Sequence, residues 1–185
     1  MNIPNFLSLM RVILVPVFVI FLIQKQYDKA LITFTIAGVT DAFDGALARL
    51  LKCQTKLGAF LDPLADKLLL VTSFVSLALF DLIPGWLAVI VISRDFIILL
   101  GIAIMTIMSI PYEIKPAIVG KITTVFQVAT IFFTLLYKSF THDFSYLWIV
   151  SLWWGTALFT IVSGLTYIIR GIRIVNQSDL NSVKK

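Results

Sequence analysis

Cysteine and histidine are almost missing from this chain of 185 residues, which has one of each, and charged residues make up only 14% of it. A lone cysteine, Cys53, excludes an intramolecular disulfide and a thiolate-built metal centre. The lone histidine, His142, stands beside Asp143 in an expected loop, which removes Ser-His-Asp catalysis, His-cluster zinc sites and histidine acid–base chemistry. There is no P-loop, no GxGxxG turn and no internal repeat.

What the chain has instead is hydrocarbon. Hydrophobic residues make up 59% of it, and a mean hydropathy of +1.00 lies far from a soluble domain of this size. A hydrocarbon core of about 30 Å takes roughly 20 helical residues to cross. Apolar runs near 6–24, 30–50, 59–80, 84–109, 118–138 and 145–169 meet that length. They predict an all-α integral membrane protein in which residues 1–185 form a single domain of six transmembrane helices. The first run lacks a basic flank and an A-x-A-like site, so it is expected to stay in the mature protein rather than be cleaved as a signal peptide.

Lysine and arginine fall unequally about these spans. Arg11, Arg49, Lys52, Lys56, Lys67, Lys115, Lys121, Arg170, Arg173, Lys184 and Lys185 group on one side. Lys25, Lys29 and Lys138 lie on the other, and Arg94 falls inside a span. The positive-inside rule then puts both termini in the cytoplasm. The net charge of +5 becomes a surface for anionic membrane lipids and calls for no nucleic-acid partner. Trp86, Trp148, Trp153 and Trp154 cluster at the expected outer ends of helices as an interfacial belt, and Pro84-Gly85 after Asp81 marks a helix start.

Against this background the stretch "TDAFDGALARLLKCQTKLGAFLDPLADK", residues 40–67, holds four of the ten acidic residues. Each intramembrane aspartate costs about 2.5–3.5 kcal/mol, so Asp41, Asp44, Asp62 and Asp66 need compensation. Asp41 and Asp44 are three residues apart and Asp62 and Asp66 four, so each pair shares a helix face. The short connection "LLKCQTK" makes the two helices expected antiparallel neighbours with the pairs facing one cleft. Four carboxylates in one cleft repel unless cations neutralise them. Hard oxygen donors without histidine or cysteine favour Mg²⁺, Mn²⁺ or Ca²⁺, and two such ions clamp phosphate oxygens. Gly45 and Ala48 leave room beside Asp44, as Gly58 does one turn before Asp62, and Arg49 is spaced to bind a phosphate bidentately.

The stretch fits D-x2-D-G-x2-A-R-x8-G-x3-D-x3-D without a departure, and so resembles the CDP-alcohol phosphotransferase family of integral membrane enzymes. "NIPNFLSLMR" at the start, "LDPLADK", "ISRDF" and "VGKITTVFQ" extend the likeness over nearly the whole chain, toward the members that make phosphatidylglycerophosphate. The resemblance implies a six-helix homodimer of the bacterial cytoplasmic membrane. In it, CDP-diacylglycerol and glycerol 3-phosphate meet over two divalent ions, Mg²⁺ or Mn²⁺, at the cytoplasmic face. It assigns Asp41, Asp44 and Asp62 as metal ligands and Asp66 as general base, with metal contact by Asp66 left open. It matches Gly45, Ala48, Arg49 and Gly58 to the nucleotide and diphosphate, with Asn5 and Thr40 as further candidates.

A phosphorylated acceptor needs cations of its own, and Arg94, Lys121, Arg170 and Lys115 are the candidates, with Arg11 and Lys67 behind them. Against these stand ordinary roles: snorkelling for Lys121 and Arg170, and an Arg94–Asp95 pair that only joins helices. Serine, inositol phosphate or a second phosphatidylglycerol as acceptor is the nearer rival. A cation transporter is the more distant one, and it requires acids at the midplane with a path to both sides.

Overall fold

The computed structural model describes the backbone of residues 3–51, 56–108, 118–140 and 146–182, and side chains within 10–40, 66–108, 118–140 and 146–174. Among the described residues six helices follow one another: α1 (Ile3–Ile23), α2 (Tyr27–Leu51), α3 (Lys56–Leu79), α4 (Gly85–Ile107), α5 (Ile118–Ser139) and α6 (Tyr146–Ser182). Among the described residues there is no strand. The boundaries follow the apolar runs, except that α6 continues 13 residues past the expected end at 169. Helical hydrogen bonding does not stop where hydrophobicity does. Among the described residues α4, α5 and Tyr146–Ile174 of α6 are long and apolar enough to cross a membrane, and Met10–Ile23 is a shorter apolar helix.

Two turns close tightly. Lys25 and Asp81 adopt left-handed φ of 57° and 54°. In each case the next amide reaches back five residues, Gln26 to Phe21 at 2.9 Å and Leu82 to Leu77 at 2.8 Å. This is the Schellman ending of a helix, here without the usual glycine.

Burial follows helical periodicity. Ala30, Phe34 and Ala37 of α2, Leu70, Phe74 and Leu77 of α3, and Leu87 and Val91 of α4 enter one core with Phe18 and Leu22 of α1. Large apolar side chains such as Ile13, Val89, Leu99, Val125 and Leu158 point outward, which lipid tolerates and water does not. Of the expected belt, Trp86, Trp148 and Trp154 are exposed, with Trp86 and Trp154 rings 5.2 Å apart. Trp153 belongs to the core instead, because it falls on the buried α6 face one turn from Ile149.

The helix interior is polar where α5 meets α6. Thr123, Gln127, Thr130 and Thr134 of α5 and Thr156, Thr160 and Ser163 of α6 are all buried, at alternating spacings of three and four. Thr130 and Thr156 hydroxyls lie 2.6 Å apart, and the Thr123 hydroxyl donates to the Phe159 carbonyl at 3.0 Å. Between lipid-facing helices such bonds hold the packing. Thr130→Val is expected to destabilise the protein by about 0.6 kcal/mol, and by at most about 1.7 kcal/mol, in a mild-detergent unfolding titration. A Thr130→Val, Thr156→Val double-mutant cycle isolates the pair.

Among the described residues α1 packs on both α2 and α3, α2 also reaches α5, and α3 reaches α4 and α5. The helices carrying the aspartates are thus joined through α1 and α5. Their expected direct approach falls on the connection 52–55 and the ends beside it, outside the described side chains.

Candidate active site

Asp41 and Asp44 lie within continuous α2, and Asp62 and Asp66 within continuous α3. Helical backbone at both places meets the condition under which residues three or four apart share a face. The side chains of Asp41, Asp44, Asp62, Gly45, Ala48, Arg49, Gly58 and Asn5 lie outside those described, as do Lys115, Cys53 and His142 altogether. Among the described residues no three His, Cys, Asp or Glu side chains gather as a metal site. Asp66 is described and half-buried. Thr40, one residue before the first signature acid, donates its hydroxyl to the Ile36 carbonyl at 2.6 Å.

One residue beyond Asp66 a charged cluster begins. Lys67 of α3, its side chain 43% exposed, places Nζ 2.5 Å from Oδ1 of Asp95 on α4. The same oxygen accepts from Arg94 Nη1 at 2.7 Å, and Arg94 Nη2 donates to the Ser163 hydroxyl of α6 at 3.0 Å. The guanidinium lies 5.6 Å from the Tyr167 ring centroid, a cation–π approach. Both Arg94 and Asp95 are buried. Arg94 continues the series Leu87, Val91 on the inward face of α4, so helix geometry carries a charge into the core and the cluster compensates it.

Glycines make the room. A Cβ on Gly120, in the first turn of α5, would stand 3.2 Å from the Tyr167 hydroxyl and 3.3 Å from Arg94 Nη2. A Cβ on Gly164 would meet Arg94 Cγ at 3.6 Å. The start of α5 is therefore held against Arg94, and Lys121 follows Gly120 there with an exposed side chain. On α6, Ser163, Tyr167 and Arg170 recur at spacings of four and three, so Arg170 falls on the helix face that meets Arg94. Three of the four cations proposed for an acceptor thus come from elements that converge on Arg94. Lys115 is outside the described residues.

The Arg94–Asp95 pair does join helices, as the plainer reading expects, but it also reaches Lys67 beside the signature. In the sequence Asp95 stands out only as a partner for Arg94, and nothing local marks Ser163, Tyr167 or Gly120. Only the periodicity Ser163, Tyr167, Arg170 was a usable signal for the first two.

Comparison with known proteins bears on these elements. The family model for CDP-alcohol phosphatidyltransferases matches residues 1–164, which include every aspartate of the signature. A CDP-diacylglycerol–glycerol-3-phosphate 3-phosphatidyltransferase of Bacillus subtilis is 33% identical over 182 residues, covering 90% of this chain and 93% of that one. The protein of the same name from Aquifex aeolicus is 30% identical, with coverages of 95% and 98%. A probable CMP-forming cardiolipin synthase of Drosophila melanogaster is 32% identical over 187 residues, and there the chain spans 57% of the relative's length. A match running through α1 to α5 and into α6, with an unbroken signature inside it, means that the chain belongs to the CDP-alcohol phosphatidyltransferase family.

Proposed function

We propose that this chain transfers the phosphatidyl group of CDP-diacylglycerol to glycerol 3-phosphate, giving phosphatidylglycerophosphate and CMP. The observation that carries it is the unbroken signature on α2 and α3, in a chain that two relatives named for this reaction match over nearly their full lengths. The primary hydroxyl of the acceptor attacks the lipid-side phosphorus. A new P–O bond forms, the bond from that phosphorus to CMP breaks, and the hydroxyl proton passes to the Asp66 carboxylate. Asp41, Asp44 and Asp62 would hold two divalent ions, Mg²⁺ or Mn²⁺, with Asp66 as the further candidate ligand, and the bound ions would neutralise diphosphate charge. The donor set fits that group, being hard carboxylate oxygens at helical spacing on two helices. Gly45, Ala48, Gly58 and Arg49, with Asn5 and Thr40, accommodate the nucleotide and diphosphate. Positioning and charge complementarity supply most of the rate.

Six helices cross the bacterial cytoplasmic membrane with both termini and the site on the cytoplasmic side, as the lysine and arginine distribution supports. The working unit is a homodimer, and native-membrane mass measurement that finds monomers alone overturns this. A second reading, phosphatidylglycerol as acceptor, draws on the Drosophila relative. Arg94, together with Lys121 and Arg170 on the two helices that meet it, supports the acceptor that carries a free phosphate monoester.

The test is CMP release from CDP-diacylglycerol and Mg²⁺ by purified protein in lipid. Release is expected with glycerol 3-phosphate and far less with glycerol, serine, inositol phosphate or phosphatidylglycerol. Faster release with any of these replaces the named reaction. Lys121→Met, at an exposed side chain outside the Arg94 cluster, is expected to raise the acceptor KM on the order of ten- to a hundredfold, the equivalent of one charged hydrogen bond. The KM for CDP-diacylglycerol stays nearly unchanged.

A further inference from the structure

We infer that Asp95 is a positioning residue for phosphatidyl transfer, setting the register between the acid-bearing helix α3 and the cation-bearing side formed by α4, α5 and α6. The inference rests on the proposed reaction and on Asp66 as its base. Its observation is that two cations from different helices share one buried oxygen. Asp95 Oδ1 accepts from Lys67 Nζ at 2.5 Å and from Arg94 Nη1 at 2.7 Å. Lys67 is the residue after Asp66, so fixing its ammonium fixes the turn of α3 that carries the fourth signature acid. Arg94 in turn is held by Ser163, faced by Tyr167 and backed by Gly120, which ties α5 and α6 to the same point. Asp95 is thus where the two halves of the pocket meet, although it need touch neither substrate.

A purely structural ion pair makes a different prediction. If Asp95 only holds helices together, its loss lowers thermal stability while the molecules that remain folded turn over normally. If it positions, the folded molecules themselves are slow, because a displacement of about 1 Å near a reacting group costs on the order of 10²-fold in rate. The discriminating quantity is kcat per folded enzyme, with the KM for CDP-diacylglycerol as the internal reference.

The experiment compares wild type, Asp95→Asn, Asp95→Glu, Lys67→Met and the Asp95→Asn, Lys67→Met double variant in the CMP-release assay, each in liposomes with folded protein counted by gel filtration. Asp95→Asn and Lys67→Met are each expected to lower kcat on the order of 10²-fold with the CDP-diacylglycerol KM nearly unchanged. Asp95→Glu, which keeps the charge, recovers part of the rate. The double variant is no slower than the slower single, since both break one link. Wild-type kcat in either single variant, or full additivity in the double, overturns the inference. Should Asp95→Asn fail to fold, Lys67→Met decides alone, because its half-exposed side chain can be replaced without emptying the core. Failure of the broader reading looks different: the wild type itself releases no CMP with any acceptor.

Discussion

Asp44→Asn is expected to give a folded protein whose CMP release falls by on the order of 10³-fold or more, because charge neutralisation of a transferring phosphoryl group is worth several kcal/mol. The substitution keeps the volume of the side chain and removes its charge. An amide oxygen is a far poorer donor to a divalent ion than a carboxylate, and the remaining acids cannot restore the lost charge. Asp41→Asn and Asp62→Asn are expected to behave alike, since the proposed ligand set comprises all three, on α2 and α3. Stability should hold or rise, because removing one of several crowded carboxylates relieves repulsion in the metal-free protein. The measurements are CMP release per folded enzyme and Mn²⁺ binding followed by electron paramagnetic resonance. Turnover and Mn²⁺ affinity like wild type in any one variant remove that residue from the set.

Much of this was legible in the chain because lipid simplifies the code. Where every backbone polar group must be satisfied within its own segment, an apolar run of sufficient length means a helix, and five of the six helices end within a few residues of their runs. The sixth shows where the code stops. Hydropathy reports the end of the hydrocarbon near 169, whereas α6 runs on to Ser182. The signature was legible for a related reason: four acids in an apolar setting are too costly to be incidental.

What the chain concealed was which polar residues face each other. Thr130 and Thr156 are each unremarkable in sequence, and only the packing of α5 on α6 turns them into a 2.6 Å contact. Trp153 reads like Trp154 and differs only in helical phase, which sends one to the core and its neighbour to the exposed surface. The same holds for Arg94. A cation within a span announces that it has a partner, yet nothing local says that Asp95 would be shared with Lys67 across two helices. The direct facing of α2 and α3 was inferred from the brevity of their connection. Among the described residues α1 and α5 each pack on both.

Asp66→Asn carries the second large effect, and its form identifies what Asp66 does. The residue sits in α3, half-buried, one position before the Lys67 that Asp95 holds. A general base contributes about 10²–10⁴-fold, so the asparagine variant is expected to bind CDP-diacylglycerol normally while kcat falls by that factor. The fall should be nearly the same at saturating and at low donor concentration, because an interaction made only during transfer lowers kcat and kcat/KM together. A ligand role predicts otherwise: Mn²⁺ affinity and donor binding are lost with the rate. Donor affinity is read by isothermal titration with CDP-diacylglycerol in nanodiscs, and the metal by electron paramagnetic resonance on the same sample. Retained binding with slow transfer identifies the base. Joint loss moves Asp66 into the ligand set with Asp41, Asp44 and Asp62 and leaves proton acceptance to another group. Undiminished kcat removes Asp66 from both roles, and with it the reason for α4 to anchor the neighbouring lysine.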